Sequence, residues 1–168
     1  MANRKVIYEA CFEDYLRTAG VPYVAVDEAK KALFAGVRLK SFDFVVYSAN
    51  GANLLVDVKG RRFPYERAGG RRLENWTTRE DLESLAQWEE VFGSGFAGLL
   101  AFCYHLTRPE AAEAFEVVHL FRGEYYALVG VHRGAYAEAA RPRSRAWNTV
   151  SVPTRTFREL VRPIRAFF

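Results

Sequence analysis

Residues 41–60 read S-F-D-F-V-V-Y-S-A-N-G-A-N-L-L-V-D-V-K-G, and this stretch decides the fold. Two apolar runs, 42–47 and 54–58, flank a polar connection in which Asn50-Gly51 is a strong turn signal. The pattern predicts a hairpin of two adjacent antiparallel strands.

Each predicted strand carries an aspartate with apolar neighbours. Asp43 lies between two phenylalanines, and Asp57 lies between two valines. A carboxylate buried in an apolar strand is costly unless it is paired or bound to a cation. Because Lys59 lies two residues beyond Asp57, their side chains share one face of the sheet. Two carboxylates and an ammonium that converge there would form a hard-cation site with a proton-handling amine nearby.

A D-x-K sequence at the end of a strand also fits a surface ion pair, which contributes little to stability. The aspartate at hairpin distance and a glutamate on the preceding helix favour the cation site. Asp43 followed by Asp57-Val58-Lys59 resembles the D…(D/E)-x-K core of the PD-(D/E)XK nuclease superfamily, which includes restriction endonucleases and Holliday-junction resolvases. The resemblance covers about residues 5–105 and departs at Phe42, where the family often has a proline that is not a ligand.

The resemblance implies a set of metal ligands. Asp43, Asp57 and the Val58 carbonyl would hold Mg²⁺ or Mn²⁺, and Glu9 would reach the ion directly or through water. Lys59 would orient the attacking water and stabilise the developing negative charge. The activity implied is hydrolysis of phosphodiester bonds in nucleic acid, in DNA rather than RNA.

The same resemblance selects Glu9 on the first helix. In the family, the helical glutamate is followed by apolar residues at +3 and +7 and by a glycine at +11. Phe12, Leu16 and Gly20 match this spacing from Glu9, whereas no such match starts at Glu13. A solvated helix carboxylate is the alternative. Related nucleases also often carry a glutamine on the helix after the D-x-K strand, which makes Gln87 a candidate, with a surface glutamine as the alternative.

Two arginine-rich segments are candidates for contacting nucleic acid. Residues 60–72 read G-R-R-F-P-Y-E-R-A-G-G-R-R and predict a mobile loop beside the candidate site, and residues 141–145 predict a second basic loop. Arginine binds phosphate well, and interleaved aromatic residues suit stacking on bases or sugars. A solvated basic loop is the alternative. The candidate arginines are Arg61, Arg62, Arg67, Arg71, Arg72, Arg141, Arg143 and Arg145.

The composition of the 168 residues fits one globular domain with a full core, since half of them are apolar and 15% are aromatic. The formal net charge of +4 is mild support for a polyanionic partner.

No apolar run is long enough for a membrane span, and no signal peptide is apparent. Cys11 and Cys103 are expected to be buried free thiols of a cytoplasmic protein. The apolar segment Phe167-Phe168 is expected to pack either on the domain or on a second subunit. A homodimer is therefore one of the two alternatives.

The order of predicted elements indicates an α/β fold. The elements are a helix over 5–18, a strand over 21–26, the hairpin, a helix that ends near Phe92 and a buried strand over 96–106, and they match the family's αβββαβ core, with a mixed central sheet flanked by helices. Thr77 or Thr78 is expected to cap the second helix, with Asp81 three residues after Thr78 in a capping-box-like arrangement. A single domain of 1–168 is expected, with this core over about 5–106 and an extension over 107–168. The extension is predicted to hold a hairpin about Arg122-Gly123, a short helix over 136–140 and a final helix over 157–161 behind a Thr156/Glu159 capping box.

These features predict a nuclease that depends on Mg²⁺ or Mn²⁺. The alternative is a non-catalytic nucleic-acid-binding or assembly protein that keeps the nuclease fold. No glycine-rich phosphate loop, nucleophile elbow or Ser-His-Asp order is present in the sequence, which disfavours those enzyme classes.

Overall fold

The computed structural model describes residues 4–27, 32–34, 37–64 and 72–168. Its α-helices, in chain order, are α1 (Arg4–Ala19), α2 (Arg79–Phe92), α3 (Arg133–Ala139) and α4 (Thr154–Leu160). Its strands, in chain order, are β1 (Tyr23–Ala25), β2 (Ala32–Phe34), β3 (Val37–Leu39), β4 (Phe44–Val46), β5 (Asn53–Phe63), β6 (Thr77–Thr78), β7 (Phe96–Leu106), β8 (Val118–Phe121), β9 (Glu124–His132), β10 (Arg141–Ser144), β11 (Thr149–Ser151) and β12 (Arg162–Pro163). Short 3-10 helices cover Pro109–Ala114 and Ile164–Phe167.

A mixed central sheet carries the fold. Within the described ranges it has seven strands in the order β1-β4-β5-β7-β9-β12, with β8 also paired to β9. The β4–β5 pair is antiparallel, which confirms the predicted hairpin, and β5 and β7 run parallel through all eleven residues of each strand. The parallel pair requires a crossover, and α2 supplies it.

Helices cover both faces of this sheet, because β5 is apolar on both sides. Alternate residues Leu54, Val56 and Val58 pack under α1, together with Phe12 and Leu16 of that helix. The opposite face carries Leu55 and packs against α2, α3 and α4 in a second core. The result is the predicted α/β arrangement, a mixed central sheet flanked by helices.

The two basic segments differ from their prediction as loops. Strand β5 continues to Phe63, so the first part of residues 60–72 is strand, and residues 65–71 lie outside the described part of the chain. Residues 141–144 form β10, which pairs with β11, and β11 pairs in turn with β6. Arg141 and Arg143 therefore lie on a small three-stranded sheet. The segment is a strand because it pairs with β11, and β6, the third strand, is distant from both in the sequence.

Other local signals had mixed outcomes, and the short helix predicted over 136–140 is α3, which begins earlier, at Arg133. Thr78 caps α2 by accepting from the Asp81 N–H at 3.1 Å, and the Arg122-Gly123 turn has the positive φ angles that such a turn requires. The Thr156 capping box is wrong. The Phe157 N–H donates to the Pro153 carbonyl at 2.8 Å, so α4 has already begun before Thr156. No helix in the described part of the chain has the length and apolarity needed to cross a membrane.

Candidate active site

The candidate site lies where β4 and β5 stop pairing. Their register ends at Phe44 opposite Val56, and the Asp43 N–H still donates to the Val56 carbonyl at 2.9 Å. Beyond that point the Val58 N–H donates to Asp43 Oδ2 at 2.7 Å, so a side chain replaces the missing backbone partner. Asp43 is only 4% exposed, and this bond provides its buried side chain with a polar partner.

Asp57 and Lys59 lie together on the α2 face of β5, as period-2 geometry predicts. Lys59 Nζ is 2.9 Å from Asp57 Oδ2, and both side chains are 14% exposed. The two groups therefore meet in a partly closed site beside the point where Asp43 binds the backbone of β5. A charge pair of this burial is stronger than the surface ion pair that the D-x-K sequence also allowed.

Asp81, in the first turn of α2, is a third acidic residue of the site and was not among the predicted site residues. Its Oδ2 lies 2.6 Å from Lys59 Nζ, and its Oδ1 lies 2.5 Å from Lys40 Nζ. The Thr77 hydroxyl donates to Oδ2 at 3.3 Å. The Thr78 cap fixes the first turn of α2, and this turn aims Asp81 at the sheet. The available signal was a carboxylate in the first turn of a helix that must pack over a strand bearing a lysine.

Attraction between opposite charges sets the protonation of Lys59 and Asp81. Burial disfavours the charged Lys59 ammonium, but Asp57 and Asp81 outweigh that effect and raise the pKa of Lys59 above its ordinary value. Burial likewise opposes ionisation of Asp81, yet Lys59 and Lys40 hold the pKa of Asp81 well below its usual range. At neutral pH Lys59 is therefore an ammonium and Asp81 a carboxylate.

Glu9 and Glu13 have different surroundings on α1. The Glu13 carboxylate accepts from the Tyr23 hydroxyl at 2.9 Å and pairs with Arg17 at 2.9 Å, so it ties the helix to β1. Glu9 is half-buried one turn earlier. Asp57 and Lys59 lie on the other face of the sheet, so the helix that carries Glu9 covers the face opposite this pair.

Close packing of α1 on the sheet fixes the position of Glu9 along the strands. The ring of Tyr8 lies so close over Gly60 that a Cβ atom there would be 1.8 Å from a ring carbon. The rings of Phe12 and Phe44 are 5.4 Å apart between centroids. The turn of α1 that carries Glu9 therefore lies over the segment where β4 and β5 stop pairing.

Gln87 lies away from the line of α2 residues that face the sheet. Asp81, Ser84 and Leu85 are the buried residues of this helix. Six residues beyond Asp81, Gln87 is rotated about 120° around the helix from it. Gln87 is half-buried on the helix flank, and its assignment to the site stays a prediction.

The candidate arginines fall into distinct environments. Arg61 donates to the carbonyls of Gly60 and Trp76, and its guanidinium lies 4.0 Å from the Trp76 ring centroid. Arg143 lies 5.3 Å from the same ring, so Trp76 links the small sheet to β5. Arg67 and Arg71 lie outside the described residues. The exposed candidates are Arg62, Arg72, Arg141, Arg143 and Arg145.

Among solved structures, the chain is similar to Hjc of Archaeoglobus fulgidus, a Holliday junction resolvase from an archaeal hyperthermophile. Its fold is similar to that of a resolvase. The likeness covers 98% of this chain and 94% of the resolvase, with a TM-score of 0.56 and 13% sequence identity. No protein-family model matches the sequence, and no curated protein is significantly similar to it. At this identity the match with Hjc concerns the fold alone.

The oxygen atoms of the site fit a hard divalent cation. Within the described ranges, no three Asp, Glu, His or Cys side chains are gathered closely enough to hold a metal ion. Mg²⁺ commonly takes only one or two carboxylates and completes its shell with water and substrate phosphate. Asp43, Asp57 and the Val58 carbonyl meet that need, and the buried Asp43 carboxylate is the type of group that a cation stabilises.

Proposed function

We propose that this protein is a divalent-metal-dependent nuclease that hydrolyses phosphodiester bonds of DNA. The observation that carries the proposal is the Asp57–Lys59 contact of 2.9 Å beside Asp43, at the point where β4 and β5 stop pairing. The similarity to a Holliday junction resolvase supports the same conclusion at the level of fold. The unit proposed is the whole chain as a single domain, because β9 and β12 of the C-terminal part extend the sheet that carries the site.

Each residue of the site has a proposed task. Asp43, Asp57 and the Val58 carbonyl hold Mg²⁺ or Mn²⁺, which when bound neutralises phosphate charge and lowers the pKa of a bound water. Lys59 donates to the attacking water and stabilises negative charge that develops on the phosphate. Asp81 positions Lys59 and keeps it protonated. Glu9 acts through water from the α1 side, since it forms no three-carboxylate cluster with Asp43 and Asp57.

DNA is the proposed partner because exposed arginines lie on β5 and on the small sheet that contains β6. Arg62 lies three residues after Lys59 near the end of β5, and Arg141 and Arg143 lie on β10. Guanidinium groups bind phosphate in a bidentate manner, and such contacts release counterions, so the binding is expected to weaken steeply with salt.

A cleavage panel tests this function. Duplex, branched and single-stranded DNA and an RNA of the same sequence are incubated with the protein in Mg²⁺, in Mn²⁺ and in EDTA. We expect metal-dependent cleavage of DNA by the wild type, and a loss of metal affinity and turnover together in Asp57→Asn. Glu83→Gln, which changes an exposed carboxylate of α2, is the matched control. A protein that binds DNA equally well in EDTA, binds no divalent cation and cleaves nothing is the non-catalytic alternative.

A further inference from the structure

The turn between β10 and β11 presents an exposed tryptophan. Trp147 is 77% exposed, the largest value among the exposed large hydrophobic side chains of the described part. The turn is ordered by its own bonds, since the Asn148 N–H donates to the Arg145 carbonyl at 3.2 Å and the Trp147 N–H donates to the Ser144 hydroxyl at 3.4 Å. The indole is therefore held out from the protein by a defined turn.

The chain around this tryptophan is strongly cationic. Between Glu138 and Glu159 the sequence has no acidic residue. An acidic partner surface or a nucleic acid would both suit this charge. The arginines of the segment are Arg141, Arg143, Arg145, Arg155 and Arg158.

The turn is also anchored close to the candidate active site. The Arg79 N–H donates to the Asn148 carbonyl at 3.0 Å, and Thr149 pairs with Thr78. Two residues after Arg79 comes Asp81, which holds Lys59. The path from Trp147 through the Asn148–Arg79 hydrogen bond to Asp81 is short, so the Cα atoms of Trp147 and Asp81 are no more than about 18 Å apart. A strand of nucleic acid, at about 3.4 Å per nucleotide, would span the distance between this turn and the candidate site with a few nucleotides.

Stacking explains an exposed indole better than phosphate binding does. Every base offers a flat π-face, and an aromatic side chain gains about 1–3 kcal/mol from each base that stacks on it. In a paired duplex the base faces are already stacked on one another, so an indole would have to separate them. An unpaired base has a face available without that cost.

We propose that Trp147 stacks on an unpaired base of the nucleic acid bound at the candidate active site. The substrate class that follows is DNA with an unpaired base within a few nucleotides of the scissile phosphate. This inference rests on the proposed function for the location of that phosphate, whereas the stacking itself is a binding event that needs no cleavage.

The test measures binding in EDTA, so that no cleavage takes place. The DNA is a duplex with a short single-stranded gap that carries 2-aminopurine, a base whose fluorescence falls when it stacks, and the reference is the same duplex without the gap. The variants are Trp147→Ala and Trp147→Phe. Tyr47→Ala is the matched control, because Tyr47 is an aromatic residue that is 44% exposed near the opposite end of α2.

The expected result is quenching of 2-aminopurine by the wild type and by Tyr47→Ala. Trp147→Ala should bind the gapped DNA between about fivefold and about a hundredfold more weakly, with less than about a twofold change for the paired duplex. Trp147→Phe should retain most of the quenching. Equal binding of gapped DNA by Trp147→Ala and the wild type overturns the inference, and so does an equal loss on both DNAs.

Two further outcomes separate this inference from the proposed function. Selective loss on gapped DNA, without metal-dependent cleavage by the wild type, supports the stacking role and overturns the nuclease. Normal cleavage with no effect of Trp147→Ala on binding leaves the nuclease intact and overturns the stacking role. If the wild type binds neither DNA, the inference is overturned.

Discussion

Lys59 Nζ lies 2.6 Å from Asp81 Oδ2, although the two residues are separated by the whole segment between β5 and α2. Asp57 holds the same ammonium at 2.9 Å from the other side. The lysine of the D-x-K sequence is thus positioned by one carboxylate of its own strand and by another from the helix above it. This arrangement holds the ammonium beside the proposed metal ligand Asp57 and keeps it charged.

Lys59→Ala should separate binding from catalysis. Metal affinity should be unchanged or higher, because a positive charge close to the cation is removed. Turnover should fall by about 10²–10³-fold, the typical loss for one group that stabilises the transition state. Calorimetric Mn²⁺ titration and single-turnover cleavage measure the two effects. Lys40→Ala removes the other cation bound to Asp81 and should cost far less turnover; cleavage by Lys59→Ala at the wild-type rate would contradict the assignment.

Asp81→Asn should lower the free energy of unfolding and alter its pH dependence. Removing one partner of a buried ion pair costs about 3–5 kcal/mol. Since the folded pKa of Asp81 lies below its ordinary value of 3.8, the carboxylate stabilises the fold above about pH 4, and this contribution is lost as the pH falls towards the folded pKa. Urea denaturation between about pH 2 and about pH 7 measures both effects.

The variant should accordingly lose less stability in acid than the wild type does. Glu83→Gln, an exposed substitution on the same helix, should leave the curve of the wild type almost unchanged. Parallel acid profiles for Asp81→Asn and the wild type would show that the Lys59–Asp81 pair does not control this transition.

Glu9→Gln should reduce metal-dependent cleavage, whereas Glu13→Gln should not. Glu13 is bound to Tyr23 and Arg17, so its replacement should cost at most about 1 kcal/mol of stability and spare cleavage. Glu9 is proposed to act through water on the metal, and loss of such an outer contact typically costs 10- to 100-fold in metal affinity or activity. Metal-dependent cleavage and thermal unfolding of both variants decide the matter, and the reverse pattern would assign the site to Glu13.

Arg62→Ala and Arg61→Ala should also differ. Arg62 is exposed, so its loss should weaken DNA binding and reduce the slope of log K against log salt by about 1. Arg61 is packed on Trp76 and bonded to two carbonyls, so its loss should reduce stability instead. Fluorescence anisotropy at several salt concentrations and urea denaturation distinguish these effects. An unchanged salt slope in Arg62→Ala would remove that residue from the DNA-binding surface.

Gly60→Ala should destabilise the protein because the new Cβ would lie 1.8 Å from the Tyr8 ring. Overpacking of this kind typically costs 1–3 kcal/mol, and here it also displaces the turn that carries Glu9, so cleavage should fall as well. The double variant Tyr8→Ala/Gly60→Ala removes the clash and provides the control. Stability of the double variant no higher than that of Gly60→Ala would show that Tyr8 does not set this contact.

Short-range patterns in the sequence determined much of this protein. Alternation along β5 placed Asp57 and Lys59 on one face, because the side-chain period of a strand is a local property. The Thr78 cap, the bounds of α2 and the apolar run of β7 were likewise readable, since capping and burial depend on neighbouring residues. The spacing that singled out Glu9 gave the helix face but not its distance from the other acidic groups.

Only the tertiary structure decided which distant groups meet. Asp81 reaches Lys59 because α2 packs across β5, and Asp43 reaches the Val58 N–H because β4 and β5 part at that residue. Residues 141–144 became a strand because β11 offered them backbone partners and β6 completed the small sheet. The charge pattern of that segment was visible in the sequence. Its place beside the first turn of α2 depended on hydrogen bonds between segments about 70 residues apart, which no local pattern encodes.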